Sequence, residues 1–238
     1  MRLDELTWKE VGEYLRSNRQ MIVPIGTCEQ HGPHLPLNTD TLVVDKLAEY
    51  LSEEAGMLVG PTLNYGVNLP CDRGYAGTCS TTKELLKGFF GSLLKWWKEQ
   101  GFRRFFVLSA HGDPHHIEAL EASDPETVVV LELYDFDMTG VLEKQHGAKH
   151  ACEAETSVMM YLFREKVRSA EIQDFETPFE DFKPYLIHEK IEAIEGAPGN
   201  QGYPSWADAE KGKILFSRMK KHALEWLLRN TEKERSKK

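Results

Sequence analysis

The run Met21-Ile-Val-Pro-Ile-Gly-Thr-Cys-Glu-Gln-His-Gly-Pro-His-Leu-Pro-Leu-Asn-Thr-Asp40 couples five apolar residues to a loop that carries Glu29, His31, His34 and Asp40. Residues 21–25 are too few for a stable helix and show no polar alternation, so they read as a strand buried on both faces, as in a parallel sheet. Directly after it, Gly26, Gly32, Pro33 and Pro36 turn and stiffen the chain. Carboxylate oxygen and imidazole nitrogen on such a loop suit zinc, manganese or iron(II), whereas calcium and magnesium prefer oxygen alone. A polar surface loop can hold one Glu-x-His by chance, so the metal reading depends on ligands supplied from elsewhere in the chain.

Working outward, the pattern is strand, loop and helix, repeated. Before the strand, residues 7–18 place Trp8, Val11, Tyr14 and Leu15 on one helical face behind Thr7 as N-cap. After the loop, Leu42, Val43, Leu47, Tyr50 and Leu51 give a helix over 41–55, with Asp40 at the N-cap position and Gly56 as its stop. Residues 57–60 read as a second short strand. The stretch from there to Thr82 is a long loop rich in Gly, Pro, Asn and Thr, and loops of that length tend to be functional. Lys83 to Gln100 is a helix with Leu85, Leu86, Phe89, Phe90, Leu93, Leu94 and Trp97 inward, and Phe105 to Leu108 is another buried strand. In Ser109-Ala-His-Gly-Asp-Pro-His-His116, Asp113 and Pro114 announce a helix through Leu120, and Val128 to Leu131 follows as a strand.

This alternation predicts an α/β fold with a mostly parallel sheet and helices on both faces. Ligands of such sheets bind outside the carboxyl ends of the strands. Glu29 and His31 stand just beyond the end of one strand and His111 just beyond another, so two separate loops deliver ligand-type residues to one edge. A third cluster, His150, Glu153 and Glu155, precedes the apolar run Val158 to Phe163; a helix N-terminus favours acidic residues, which accounts for a glutamate but not for His150. Residues 168–205 read as an irregular excursion over the surface. A final helix over 208–230 buries Ile214, Leu215, Met219, Ala223, Leu224 and Leu227, ahead of a charged tail at 232–238 that is expected to fray.

Composition bounds the partner. The 238 residues suit a single domain over 1–238, and 41% hydrophobic with 28% charged residues describes an ordinary globular chain. A net charge of −9 argues against nucleic acid and anionic membranes and toward a small-molecule substrate. The four cysteines have no CxxC or CxxH spacing and read as reduced thiols. Charges occupy the opening residues where a signal peptide would be apolar, and no apolar run approaches about 18 residues, so a cytoplasmic location is expected.

With these residues in hand, the chain resembles the creatininase (creatinine amidohydrolase) family of metal-dependent hydrolases over most of its length. The resemblance rests on Pro24-x-Gly-x-x-Glu-x-His-Gly-Pro-His-Leu-Pro-x-x-x-Asp40, Gly77-Thr78, His111-Gly112, His150-Ala-Cys-Glu-x-Glu-Thr-Ser157, and Gly202-x-Pro204 ahead of Glu210-Lys-Gly212, in that order. It implies a three-layer α/β/α sandwich with a binuclear metal centre at the carboxyl edge of the sheet, two divalent transition-metal ions per chain (Zn, Mn or Fe(II)), and a homo-oligomer, often a hexamer.

Carried over by position, the resemblance makes Asp40 the bridge between two metals, with Glu29 and His111 on one and His31 on the other. The remaining ligand is Glu155 or Asp113; Asp113 also has the N-cap role open to it, and Glu155 is favoured. His34 is expected to pack the loop or to donate to a ligand. His150 is the expected proton carrier, Glu153 either orients it or serves the helix start, and the loop from Thr78 to Thr82, with Ser80, approaches the substrate. The chain departs from creatininase where His146-Gly147 replaces a Trp-Asp pair and Gly112 replaces a tyrosine, so creatinine itself is not the expected substrate. The expected reaction is cleavage of a C–N bond in a small cyclic amide or formamide by metal-activated water. The alternatives are a formamidopyrimidine nucleotide deformylase, for which only the scattered Arg73, Arg103 and Arg104 offer phosphate contacts, a ring-opening hydrolase of a lactone or ketoinositol, and a non-catalytic metal-binding scaffold.

Overall fold

In the computed structural model, which describes residues 1–235, the apolar run lies in β1 (Gln20–Ile25), an inner strand of a four-stranded, wholly parallel sheet. The order is β2-β1-β3-β4, with β2 Leu58–Val59, β3 Arg104–Ser109 and β4 Val128–Glu132. Register matters more for function than strand length. Ile25 pairs with Ser109, and Ser109 with Glu132, so the carboxyl ends of β1, β3 and β4 are level and their loops open onto one edge.

Alternation along the strands splits the core in two. Ile22, Phe106, Leu108 and Leu131 face a cluster built with α2 (Thr39–Ala55), α5 (Glu153–Leu162) and α7 (Ala209–Arg235). Met21, Val23, Ile25, Phe105, Val107 and Val128 face the opposite cluster, built with α3 (Lys83–Gln100) and α4 (Pro114–Glu121) and bordered by α1 (Trp8–Ser17). The expected three-layer α/β/α architecture follows directly: strands that are apolar on both faces need helices on both.

Several local expectations hold for chemical reasons. Thr7 and Glu10 form a reciprocal capping box at α1, Gly56 closes α2, and Asp113 Oδ1 accepts from the backbone N–H groups of His115 and His116 to cap α4, with Pro114 in the first turn. Others do not. Asp40 is not the N-cap of α2; Asn38 is, because Thr39 turns back to donate to Pro36 O, and Asp40 sits inside the first turn. Trp8, Leu85, Phe89 and Ile214 face outward, since each helix buries a narrower stripe than its apolar content suggests. The helix before Phe163 begins at Glu153 rather than at Val158, because acidic residues are good company for a helix start. The excursion over 168–205 contains a further helix, α6 (Phe179–Leu186), with an internal Pro184 that masks it in the sequence. α7 continues to Arg235, and the rest of the tail expected to fray lies outside the described residues.

Candidate metal centre

The loop after β1 is drawn tightly onto the start of α2. A Cβ at Gly26 would lie 2.5 Å from Thr41 N, so only glycine lets the strand end approach the helix this closely. This contact carries Asp40 to the sheet edge, where Thr27 Oγ1 donates to Asp40 Oδ2 at 2.7 Å. Glu29, His31, Asp40 and His111 are all buried there.

Their hydrogen bonds fix which atoms remain available. His31 Nδ1 donates to its neighbour's carbonyl, Glu29 O, at 3.1 Å, which leaves Nε2 facing Asp40 Oδ1 at 3.1 Å. His111 Nε2 donates to Val67 O at 2.8 Å, which leaves Nδ1 facing Glu29 Oε2 at 2.9 Å and Asp40 Oδ2 at 3.7 Å. As a neutral ring with its proton committed to Val67, His111 would give Glu29 Oε2 no hydrogen, so this buried oxygen is matched only by a protonated Nδ1, as an ion pair, or by a cation between the two. On neutral rings, lone pairs would thus face lone pairs at hydrogen-bond distance on both histidines. Only a second proton on each ring or a cation between the groups satisfies that geometry.

Electrostatics point the same way. Burial disfavours charge on both imidazoles, but Asp40 overrides it at His31 and Glu29 at His111, and each is raised to about 10. Burial would also raise Glu29, yet His111, His150 and His31 hold it well below the usual carboxylate range. Glu155, at the start of α5, is raised to about 8 by burial, with Asp40 and Glu29 adding to the effect. The cluster as built binds protons strongly at the sites a metal would take.

Two sets of donor atoms lie within 4.8 Å of one another: Glu29 with Asp40 and His111, and Glu29 with His31 and His150. Glu155 lines the same cleft, with Oε2 accepting from Ala151 N. Asp113 lines it too, but both its oxygens are taken, one by the α4 cap and the other by His188 Nε2 at 2.7 Å. His150 Nε2 donates to Gln30 O at 2.7 Å, and its ring lies 4.5 Å from that of His31, centre to centre. His34 is buried away from the cleft, bonded to Thr156 of α5 at 2.9 Å; burial, then His31 and His150, lower it to about 4, so it packs the loop as a neutral ring.

Three expected site residues are not brought to the cleft. Glu153 is fully buried on the far side of α5, where its carboxylate accepts from the backbone N–H groups of Glu143 and Lys144 and pairs with Lys211 Nζ at 2.8 Å. It touches no part of His150; its position at a helix start outweighs its closeness in sequence. Thr78 Oγ1 accepts from Gln30 N at 2.9 Å, and Ser80 Oγ is engaged with the backbone of Asn68 and Thr81. Both brace the motif loop.

Conversely, four residues near the site carry chemistry that the motif reading passes over. Gln30 donates to Asp72 Oδ1 at 3.0 Å, and Asp72, raised to about 8 by burial and by Glu29, backs the metal-facing carboxylates. Glu132 and Tyr134 line the cleft at the end of β4. The strand-end rule that found His111 would have found these two; Asp72, in a single 3-10 turn of a long loop, gives no such signal.

The cleft has a volume of about 430 Å³. One wall is the metal-facing cluster; another is Phe179, Phe182 and Leu186 of α6, and Lys149 paired with Glu176 stands among the lining residues. No arginine lines it, and Arg103 and Arg104 lie at the amino end of β3, the opposite edge of the sheet.

Comparison with known proteins agrees with this geometry. The chain is 27% identical over 236 residues to the creatinine amidohydrolase of Pseudomonas putida, covering 89% of this chain and 90% of that one. It is 29% identical over 211 residues to the mycofactocin precursor peptide peptidase of Mycolicibacterium smegmatis, covering 84% and 80%. The fold superposes on that of the Mn creatininase with a TM-score of 0.81 at 23% identity, over 96% of this chain and 98% of the other. The sequence model of the creatininase family, described as creatinine amidohydrolase, matches residues 4–227, and the chain belongs to the creatininase family of amidohydrolases.

Proposed function

We propose that the protein is a metal-dependent hydrolase that cleaves a C–N bond in a small cyclic amide or formamide. The observation that carries this reading is the buried approach of Glu29 Oε2 to His111 Nδ1 at 2.9 Å while the other ring nitrogen already donates to Val67 O, so that a second ring proton or a cation must lie between them. The donor set would suit divalent ions of the zinc, manganese or iron(II) class, with Asp40, Glu29, His111, His31 and Glu155 as the residues that would hold them. Such ions lower the pKa of water to near neutrality and polarise a carbonyl.

The chain's own residues do the rest. Val67 O and Glu29 O hold His111 and His31 in the tautomers that present the correct nitrogens. Gln30 O holds His150 by Nε2, which leaves Nδ1 to take a proton from the attacking water and return it to the departing nitrogen. Such a role is worth about 10² to 10⁴ in rate. Among the described residues no arginine lines the cleft, so the nucleotide deformylase reading lacks a phosphate-binding cluster. Gly112 and the exposed His146 leave no tyrosine or tryptophan at those positions to enclose creatinine. We also read the enzyme as a homo-oligomer; among the described residues no helix is long and apolar enough to cross a membrane.

The test is metal analysis with a substrate screen. Close to two transition-metal ions per chain, chelator-sensitive turnover of a cyclic amide or formamide, and a His150→Asn variant that keeps both metals but loses turnover are expected. Full turnover by His150→Asn with both metals bound would remove the proton-carrier role. Tolerance of metal removal without functional loss would favour a scaffold.

A further inference from the structure

The end of β4 brings two polar groups to the cleft that the metal chemistry leaves unused. Glu132 lines the wall beside His111, half-buried, and its carboxylate has no hydrogen bond or ion pair among the described residues. Its carboxylate lies over residue 112: a Cβ there would fall 2.5 Å from Glu132 Oε1 and 3.1 Å from Cδ. Glycine at 112 therefore leaves the space this carboxylate occupies. Tyr134 lines the same cleft, 8% exposed, and its hydroxyl has no hydrogen-bond partner among the described residues. Buried polar groups are almost always satisfied, and one left unpaired at a binding cleft is the kind of group a ligand completes.

We propose that Glu132 and Tyr134 form the recognition wall for the substrate amide, Glu132 accepting the N–H and Tyr134 donating to the carbonyl oxygen. The inference rests on the hydrolase reading above and narrows it to amides or ureides with a free N–H beside the carbonyl. Lactones, ketones and N-alkylated amides leave Glu132 unpaired. A site built to hydrogen-bond a substrate N–H discriminates against analogues that lack it, because the half-buried acceptor then loses its partner within the cleft.

The experiment uses the full-length, metal-loaded protein with dihydrouracil, its N-methyl derivatives and valerolactone, read by calorimetric binding and by turnover. Wild type should bind dihydrouracil about 10-fold tighter than the N-methyl form that blocks the contact, the worth of one buried hydrogen bond. Glu132→Ala should abolish that preference, and Glu132→Gln, which preserves volume should the alanine variant fail to fold, should keep part of it. Tyr134→Phe should lower kcat about 100-fold, as removal of one oxyanion donor does, with metal content unchanged. A preference that survives Glu132→Ala, full kcat in Tyr134→Phe, or a wild type that binds none of the amides overturns the proposal. Selective binding without turnover upholds the recognition wall and refutes the hydrolase reading, so the two fail separately.

Discussion

Glu153→Ala separates structural from catalytic acids in this chain. The carboxylate is fully buried, receives Glu143 N at 3.1 Å and Lys144 N at 3.3 Å, and pairs with Lys211 Nζ at 2.8 Å. Truncation strands two backbone N–H groups at about 1 kcal/mol or more each. Lys211, already 13% exposed and also bonded to Glu143, can rehydrate, so its loss adds about 1 kcal/mol rather than the several of a sealed ion pair. The sum is about 3 kcal/mol of stability, read as a lower urea midpoint with unchanged slope. Turnover per folded, metal-loaded molecule should stay within about twofold, since no Glu153 atom reaches His150. A variant that melts like wild type yet loses turnover would refute the assignment and return Glu153 to the chemistry.

Further outcomes follow from the same geometry. Asp113→Ala should cost about 1 kcal/mol as a lost N-cap and keep two metals, whereas Glu155→Ala should drop metal content toward one per chain; metal analysis and melting curves on both variants decide the fifth ligand. Gly112→Ala pushes a methyl onto the Glu132 carboxylate and should weaken dihydrouracil binding, by calorimetry, with little change in melting temperature. Stability of chelator-treated protein should fall with rising pH. Asp72 and Glu155 are raised to about 8 and His31 and His111 to about 10, so the stability they contribute is full below their unfolded values and is lost as pH climbs through 8 and then 10. Glu29, held low, has the opposite sign and matters only at acid pH. Melting should therefore come earlier at pH 9 than at pH 6.5, and metal, which competes with those protons, should reverse the order; a flat metal-free profile would contradict it.

The layers and the edge at which chemistry occurs were legible from sequence because they depend on local facts: strands apolar on both faces, amphipathic helices between them, and ligand-type residues just past the strand ends. Glu29, His31, Asp40 and His111 converge as the motif order implied. The errors share a different cause. Whether Glu153 or Glu155 faces the cleft depends on helix rotation, and two acids two residues apart look equivalent until α5 is docked against α7. Thr78 and Ser80 read as substrate contacts because they border a motif, yet their hydroxyls are spent on backbone groups. Glu132 and Tyr134 belong to no motif, and only the level ends of β3 and β4 bring them to the cleft.

One residue, Val67, ties the long loop to the centre in a way that sequence spacing does not suggest. Val67 N donates to His116 Nδ1 at 3.2 Å, and Val67 O receives His111 Nε2 at 2.8 Å, so the backbone of a single residue sets the proton position on two adjacent rings. His116, its pKa driven well below the usual histidine range by burial, stays neutral and acts as the anchor. The loop over 60–82 is thus a tautomer lock. An insertion or deletion that shifts Val67 would turn the wrong nitrogen of His111 toward Glu29 and be felt as weakened metal affinity, although no residue of that loop need ever touch the ion.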